Sequence, residues 1–297
     1  MKSETELILP CERWQAERKS YLSAVTPFVD RRRYRRSRGQ KHPLEDFIWE
    51  YYSLRGGHLL KWSPGVGVIV EGASEEDFPS ADGYMAAGPG RMLDAEPLLA
   101  KRSSGLGWIR RLLKNIDERA PVYSCLGLHE WAMVYEEKDI RHAQLPLRLS
   151  HEETRKLVES FPLQCTHFDA FRFFSESARP LNSVQPTSET RPHHEQPGCI
   201  HVQMDLFKWC MKLQPFIPSS LVLECFELAC RAREIDMRAS PYDLSSLGKE
   251  PIQIETAQGR AEYVREQQRL SEQGTPIRKR LIALLAELES IPCKSMA

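Results

Sequence analysis

The last third of the chain constrains the fold most. Across residues 202–213, 219–238 and about 257–290, large apolar side chains return every three or four positions, the repeat of a helix with one buried face. The first of these stretches sends Met204, Leu206, Phe207, Cys210, Met211 and Leu213 toward a core. The second opens at Pro218-Ser219-Ser220, a helix start. Gly274-Thr275-Pro276 predicts an interruption and restart inside the third. The first forty residues show the same spacing through Trp14, Tyr21, Leu22, Val25, Phe28 and Val29, with a kink expected at Pro27. Residues 44–54, opened by Pro43, and 106–118 predict two more helices. The β-branched run Val66, Val68, Ile69, Val70, bounded by glycines, is the clearest strand.

The fold class that follows is mainly α with a few short strands (α+β): one compact helical domain over 1–297, with an N-terminal helical segment at 1–60. Residues 72–104 are rich in Gly, Pro, Ser, Ala and Asp and predict a long loop. Residues 175–198 hold Pro180, Pro186, Pro192 and Pro197 and predict an irregular connector. A chain of 297 residues has ample material for a core, and its 41 Lys+Arg against 41 Asp+Glu exclude a DNA-coating protein or an acidic tail protein. The longest apolar runs are too short to cross a bilayer, and the beginning lacks a signal-peptide pattern, so a soluble cytoplasmic protein without a membrane partner is expected. Eight scattered cysteines without a CxxC pair read as reduced thiols rather than a disulfide framework or a zinc ribbon.

Imidazole and carboxylate concentrate in three segments, Cys125 to Trp131 with His129 and Glu130, Cys165 to Arg172 with His167 and Asp169, and His201 to Asp205. His201 and Asp205, four apart, project from one helix face and could reach one ion or substrate. With His129 and His167 they offer the mixed N/O ligands of an iron or zinc site, although neither HExxH nor ExxH is present. The plain alternative is that each histidine satisfies a buried polar network. A fourth segment packs Asp236, Arg238 and Asp243 into a helix end and the turn after it. There an aspartate could be a general base or cation stabiliser and Arg238 an anion holder, or the segment is simply turn-forming. Trp131, Phe168 and Trp209 accompany these groups and could stack a planar base, if they are not core. Arg31, Arg32, Arg33, Arg35, Arg36, Arg38 and Lys41 put seven cations in eleven residues, enough to contact several phosphates or to complement a helix C-terminus.

The runs KHPLEDFIWEYYSLR (41–55), KWSPGVGV (61–68), CLGLHEWAMVY (125–135), RHAQLPLRLS (141–150), CTHFDAFRFF (165–174), ARPLN (178–182), EQPGCIH (195–201), MDLFKW (204–209), DMRASPYDL (236–244) and IETAQGRAEYV (254–264) cover much of the chain. Together they resemble a bacterial family of proteins of about this length commonly labelled 3-methyladenine DNA glycosylase. The resemblance implies base excision: hydrolysis of the N-glycosidic bond of an alkylated purine in duplex DNA, with the base flipped between aromatics and a carboxylate supporting the sugar cation. Asp169, Asp205, Asp236 and Glu130 are the acids available for that role, with Arg238 as a further catalytic candidate. Pro64-Gly65-Val66-Gly67 resembles the turn of the helix-hairpin-helix repair enzymes, but the strand-forming Val68-Ile69-Val70 after it separates this chain from that superfamily. A metal-dependent enzyme acting on a small molecule through His129, His167, His201 and Asp205, with iron or zinc, is the competing expectation; no protein partner is implied.

Overall fold

The computed structural model describes residues 7–291. Among them helices dominate, accompanied by a single four-stranded sheet, so the chain is mainly α with a few short strands. The fold divides into two compact units. One comprises Met1–Arg111, Phe207–Phe226 and Lys279–Ala297, the other Leu112–Leu206 and Glu227–Arg278.

In the first unit, β1 (Leu7–Leu9) leads into α1 (Cys11–Ser37), whose Trp14, Tyr21, Val25 and Val29 are buried. Pro27 sits inside α1 without dividing it. One lost hydrogen bond is outweighed where the turns on both sides are fastened by packed apolar residues. The helix predicted over 44–54 shrinks to α2 (Phe47–Tyr51), followed by the single turn α3 (Gly56–Leu59). β2 (Val68–Glu71) pairs in parallel with β1, Ile69 opposite Ile8. The loop expected over 72–104 is instead largely ordered: β3 (Tyr84–Ala87) and β4 (Gly90–Leu93) form a hairpin that completes the sheet in the order β1-β2-β4-β3. Its small residues are a steric requirement, since a Cβ on Gly90 would lie 1.8 Å from the Val70 carbonyl oxygen. Arg91 then replaces the missing apolar bulk, its Nε donating to the Phe78 carbonyl at 2.7 Å and Nη2 to that of Tyr84 at 3.0 Å. Two helices follow, α4 (Ala95–Ala100) and α5 (Ser103–Asp117).

The second unit carries α6 (Leu128–Val134), α7 (His151–Ser160) and the short turns α8 (Phe168–Phe171) and α9 (Arg191–His194). The long helices α10 (Ile200–Leu213), α11 (Ser219–Arg238) and α12 (Ala257–Ser290) each contribute residues to both units. α12 runs through Gly274-Thr275-Pro276 uninterrupted, against the predicted restart. Buried Leu270, Ser271, Ile277 and Arg278 hold the helix on both sides of the proline. The seven described cysteines are free thiols, and Cys293 lies outside the described residues. No described helix is long and apolar enough to cross a membrane.

Candidate functional site

The second unit gathers most of the predicted acid and imidazole residues into one buried network. Its first half is built on α6 and α11. The chain enters α6 through Leu126 at φ 52° and Gly127 at φ 75°, a left-handed pair that only the glycine adopts without strain. A Cβ on Gly127 would meet Ala239 Cβ and the Tyr263 ring at 3.3 Å, so this corner is tightly packed as well as strained. The bend places Cys125 Sγ 3.2 Å from His129 Nδ1, and the other ring nitrogen, Nε2, stands 2.6 Å from Asp236 Oδ1. Arg233, one turn earlier on α11, donates Nη1 to Asp236 Oδ2 at 2.7 Å and to Glu130 Oε1 at 2.8 Å. His129, Glu130, Arg233 and Asp236 are all buried, whereas Cys125 is half-buried.

The second half is assembled from α8, α9 and α10. His167 Nε2 stands 3.3 Å from Asp205 Oδ2 and 3.4 Å from Glu195 Oε1. Arg191 reaches three carboxylates: Nη1 to Asp169 at 2.9 Å, Nε to Glu195 at 2.6 Å, and Nη2 to Asp205. The His201 ring joins the halves, edge-on to His129 with centroids 4.6 Å apart and stacked on His167 at 5.2 Å.

Five carboxylates therefore face two buried guanidinium groups. Burial alone would favour a neutral His129, but the Asp236 carboxylate and the Cys125 sulfur together outweigh it and hold the ring well above the ordinary histidine range. The Asp236 carboxyl, which burial would push up, is pulled well below the usual range by His129, with His201 and Arg233 adding to it. His201 goes the opposite way: burial, reinforced by the charge on His129, lowers it well below the ordinary value. Burial raises Glu130 despite its pairing with Arg233.

Ligand atoms of His129, His201 and Asp236 lie within 4.8 Å of one another, as do those of His167, Asp169 and Asp205, a spacing a cation could use. In this structure the His167 and Asp236 atoms have other partners. His167 Nδ1 accepts the Ala170 N–H at 3.2 Å, which puts the ring proton on Nε2 and leaves no lone pair there for a metal. Asp236 gives one oxygen to His129 and the other to Arg233. The chemistry this leaves open is proton exchange between a reachable thiol and a carboxylate-backed imidazole.

The other predicted site residues fall elsewhere. Arg238 points away from the network, its Nε donating to the Glu250 carbonyl at 2.8 Å and its Nη2 lying 3.3 Å from Glu262, because it is two residues from Asp236 on a helix. Trp131 is completely buried and donates Nε1 to the Ala239 carbonyl, so it is core rather than a stacking platform. Trp209 is buried in the first unit, edge-on to Trp108 at 5.7 Å. Phe168 is half-buried at the start of α8. The arginine run is largely engaged: Arg31 and Arg35 pair with Glu45, Arg35 also with Asp46, Arg33 with Asp30, and Arg32 lies over Trp49. Arg36 is exposed. Sequence reasoning assigned no role to Cys125, Arg191, Glu195 or Arg233; the Cys-x-x-x-His spacing of 125 and 129 was the one available signal.

No family model, curated protein or solved structure matches this chain.

Proposed function

We propose that the protein is a thiol-dependent enzyme acting on a small molecule with an electrophilic carbon. The observation that carries this reading is the chain Cys125 Sγ, His129 Nδ1, His129 Nε2, Asp236 Oδ1, with gaps of 3.2 and 2.6 Å. Nucleophile, base and orienting acid stand in order, and only the nucleophile is half-exposed. In the reaction the proton shared between the sulfur and Nδ1 resides on Nδ1 as the sulfur attacks the acyl carbon of the substrate, and the leaving group takes that proton as its bond to carbon breaks. Water, deprotonated by the same nitrogen, cleaves the thioester and returns the thiol. Asp236 keeps the second ring proton on Nε2 and stabilises the imidazolium. The Tyr263 hydroxyl, buried without a hydrogen-bond partner among the described residues and sensitive to the charges of Cys125 and Asp236, offers a donor that a substrate or water oxygen would satisfy.

Hydrolysis of an N-glycosidic bond in alkylated DNA, implied by the resemblance, would draw on Asp236 as its carboxylate. That residue is 1% exposed and bonded to His129 and Arg233, and two arginines of the basic run are matched by Glu45 and Asp46, so the geometry favours the thiol reading.

The test is selective labelling of the native protein with iodoacetamide, followed by peptide mass mapping and an activated-ester screen for a covalent adduct. Cys125 should react first and carry the acyl group, ahead of Cys11 and Cys230, the other half-buried cysteines among the described residues. Labelling of Cys11 or Cys230 equal to that of Cys125, or an acyl group elsewhere, overturns the reading. A stoichiometric transition metal in protein purified without chelator would favour His129, His201 and Asp236 as a cation site instead. Base release from alkylated duplex DNA would favour the glycosylase.

A further inference from the structure

The segment KWSPGVGV takes no part in the thiol site, yet its first three residues line a cleft of about 660 Å³ wholly within the first unit. A cleft of that volume is in the range of small-molecule sites.

The segment is clamped in place. Ser63 N–H donates to Ser219 Oγ at 2.8 Å, Ser219 N–H returns a bond to the Ser63 carbonyl at 2.9 Å, and Ser63 Oγ donates to the Pro215 carbonyl at 2.7 Å. Val66 N–H adds a bond to the Phe216 carbonyl at 3.0 Å. Gly65, at φ 95°, fits where a Cβ would come within 3.2 Å of Pro218 N. Trp62 is thereby fixed beside Phe78, centroids 6.0 Å apart, with Tyr84 behind, its hydroxyl 3.0 Å from Ser63 Oγ. The result is a rigid aromatic wall that needs no reorganisation to receive a flat ring.

Polar groups around the wall carry a second signal. Gln214 is among the lining residues, its Nε2 buried and without a hydrogen-bond partner among the described residues. The Lys and Arg side chains of the lining outnumber its acids four to three. Lys61 pairs with Asp82 at 2.6 Å and Arg18 with Asp77 at 3.6 Å, so the acids are largely balanced within the wall. Arg102 and Lys212 stand exposed at the rim, Arg102 fixed by a 2.8 Å bond to the Gln214 carbonyl.

We propose that this cleft binds a small planar heterocycle with an anionic tail, of the class of a nucleoside monophosphate. The ring lies against Trp62, and the tail meets Arg102 and Lys212. This site is separate from Cys125 and does not depend on the thiol chemistry.

Isothermal titration of the full-length protein with AMP and UMP tests it, with adenosine and ribose 5-phosphate as probes lacking the tail and the ring. Saturable binding of at least one monophosphate is expected, with each truncated probe weaker by about tenfold or more. Trp62→Ala should weaken the monophosphate by about tenfold and Trp62→Phe restore most of it. Arg102→Ala should weaken it about fivefold, leave adenosine unchanged and flatten the salt dependence. Cys125→Ala should leave all of these values unaltered. Absence of saturable binding by both monophosphates, or adenosine binding as tightly as AMP, overturns the proposal. So does unaltered monophosphate binding in both Trp62→Ala and Arg102→Ala.

Discussion

The two halves of the buried network are made of nearly the same parts and do different things. Each has a histidine, an arginine and at least two carboxylates, all drawn from the second unit. In one half His129 turns Nδ1 to a half-exposed thiol; in the other His167 turns Nδ1 to the backbone N–H of Ala170. The neighbour of that single nitrogen decides the role of the ring. A thiol can exchange a proton and be reached from solvent, whereas a backbone amide keeps its proton and fixes the tautomer. The His129 half can therefore act on a substrate, and the His167 half holds three loops and helices together.

The largest expected effect tests the structural half. Arg191 sits among Asp169, Glu195 and Asp205, and those three acids keep it charged against a burial that would lower its pKa. Arg191→Ala leaves buried carboxylates without their cation and should destabilise the protein by about 3–5 kcal/mol, read by urea unfolding. A loss below about 1 kcal/mol would mean that protons, not Arg191, balance these acids.

The reactive half should show its effect in rate rather than stability. His129→Gln removes the base beside Cys125 and should slow iodoacetamide capture of that thiol by roughly 10²-fold, with Cys11 as the internal reference. His167→Gln should leave the rate unaltered, since His167 faces carboxylates and not the thiol. Equal slowing in both variants would erase the distinction between the halves.

The pH dependence of stability separates His129 from the ring that touches it. His129 is raised in the folded state, so its contribution is complete below its unfolded value of 6.5 and is lost as pH rises through the folded value. His201 is lowered, so its contribution is present above 6.5 and is lost as pH falls toward its folded value. His129→Gln should therefore flatten the alkaline limb of a stability profile, and His201→Gln the limb descending below neutrality. Urea midpoints measured between about pH 5 and pH 9 check both, and the reverse assignment would refute the charge distribution.

Helical spacing in the sequence accounts for a good share of this arrangement. The 3.6-residue repeat located α10, α11 and α12, and the i,i+4 rule put His201 and Asp205 on one face, where both join the network. The hairpin at 84–93 was illegible because Arg91, not an apolar residue, fills its interior, and because the glycines that composition reads as loop are needed where β2 and β4 nearly touch. Arg191 and Glu195 were hidden for a related reason. They lie in the proline-rich connector, and a buried ion pair on one helical turn leaves no periodic trace. Cys125 did leave a trace, four residues before His129, but a Cys-x-x-x-His pair acquires meaning only when Asp236, more than a hundred residues later, is seen at the other nitrogen.

Asp169 allows the smallest and most local test, because it is held by two arginines of opposite character. Arg191 reaches it at 2.9 Å from within the network, while Arg172 approaches its other oxygen at 3.5 Å with a side chain 47% exposed. An ion pair at the solvent boundary gains little, since water screens the attraction and the long side chain loses freedom. Arg172→Ala should therefore cost less than about 1 kcal/mol and become indistinguishable from wild type in high salt. The double variant with Arg191→Ala tests whether the two cations act independently on one carboxylate. Coupling well above about 0.5 kcal/mol would show that Arg172 belongs to the buried network and that the boundary of its structural half lies further out than Asp169.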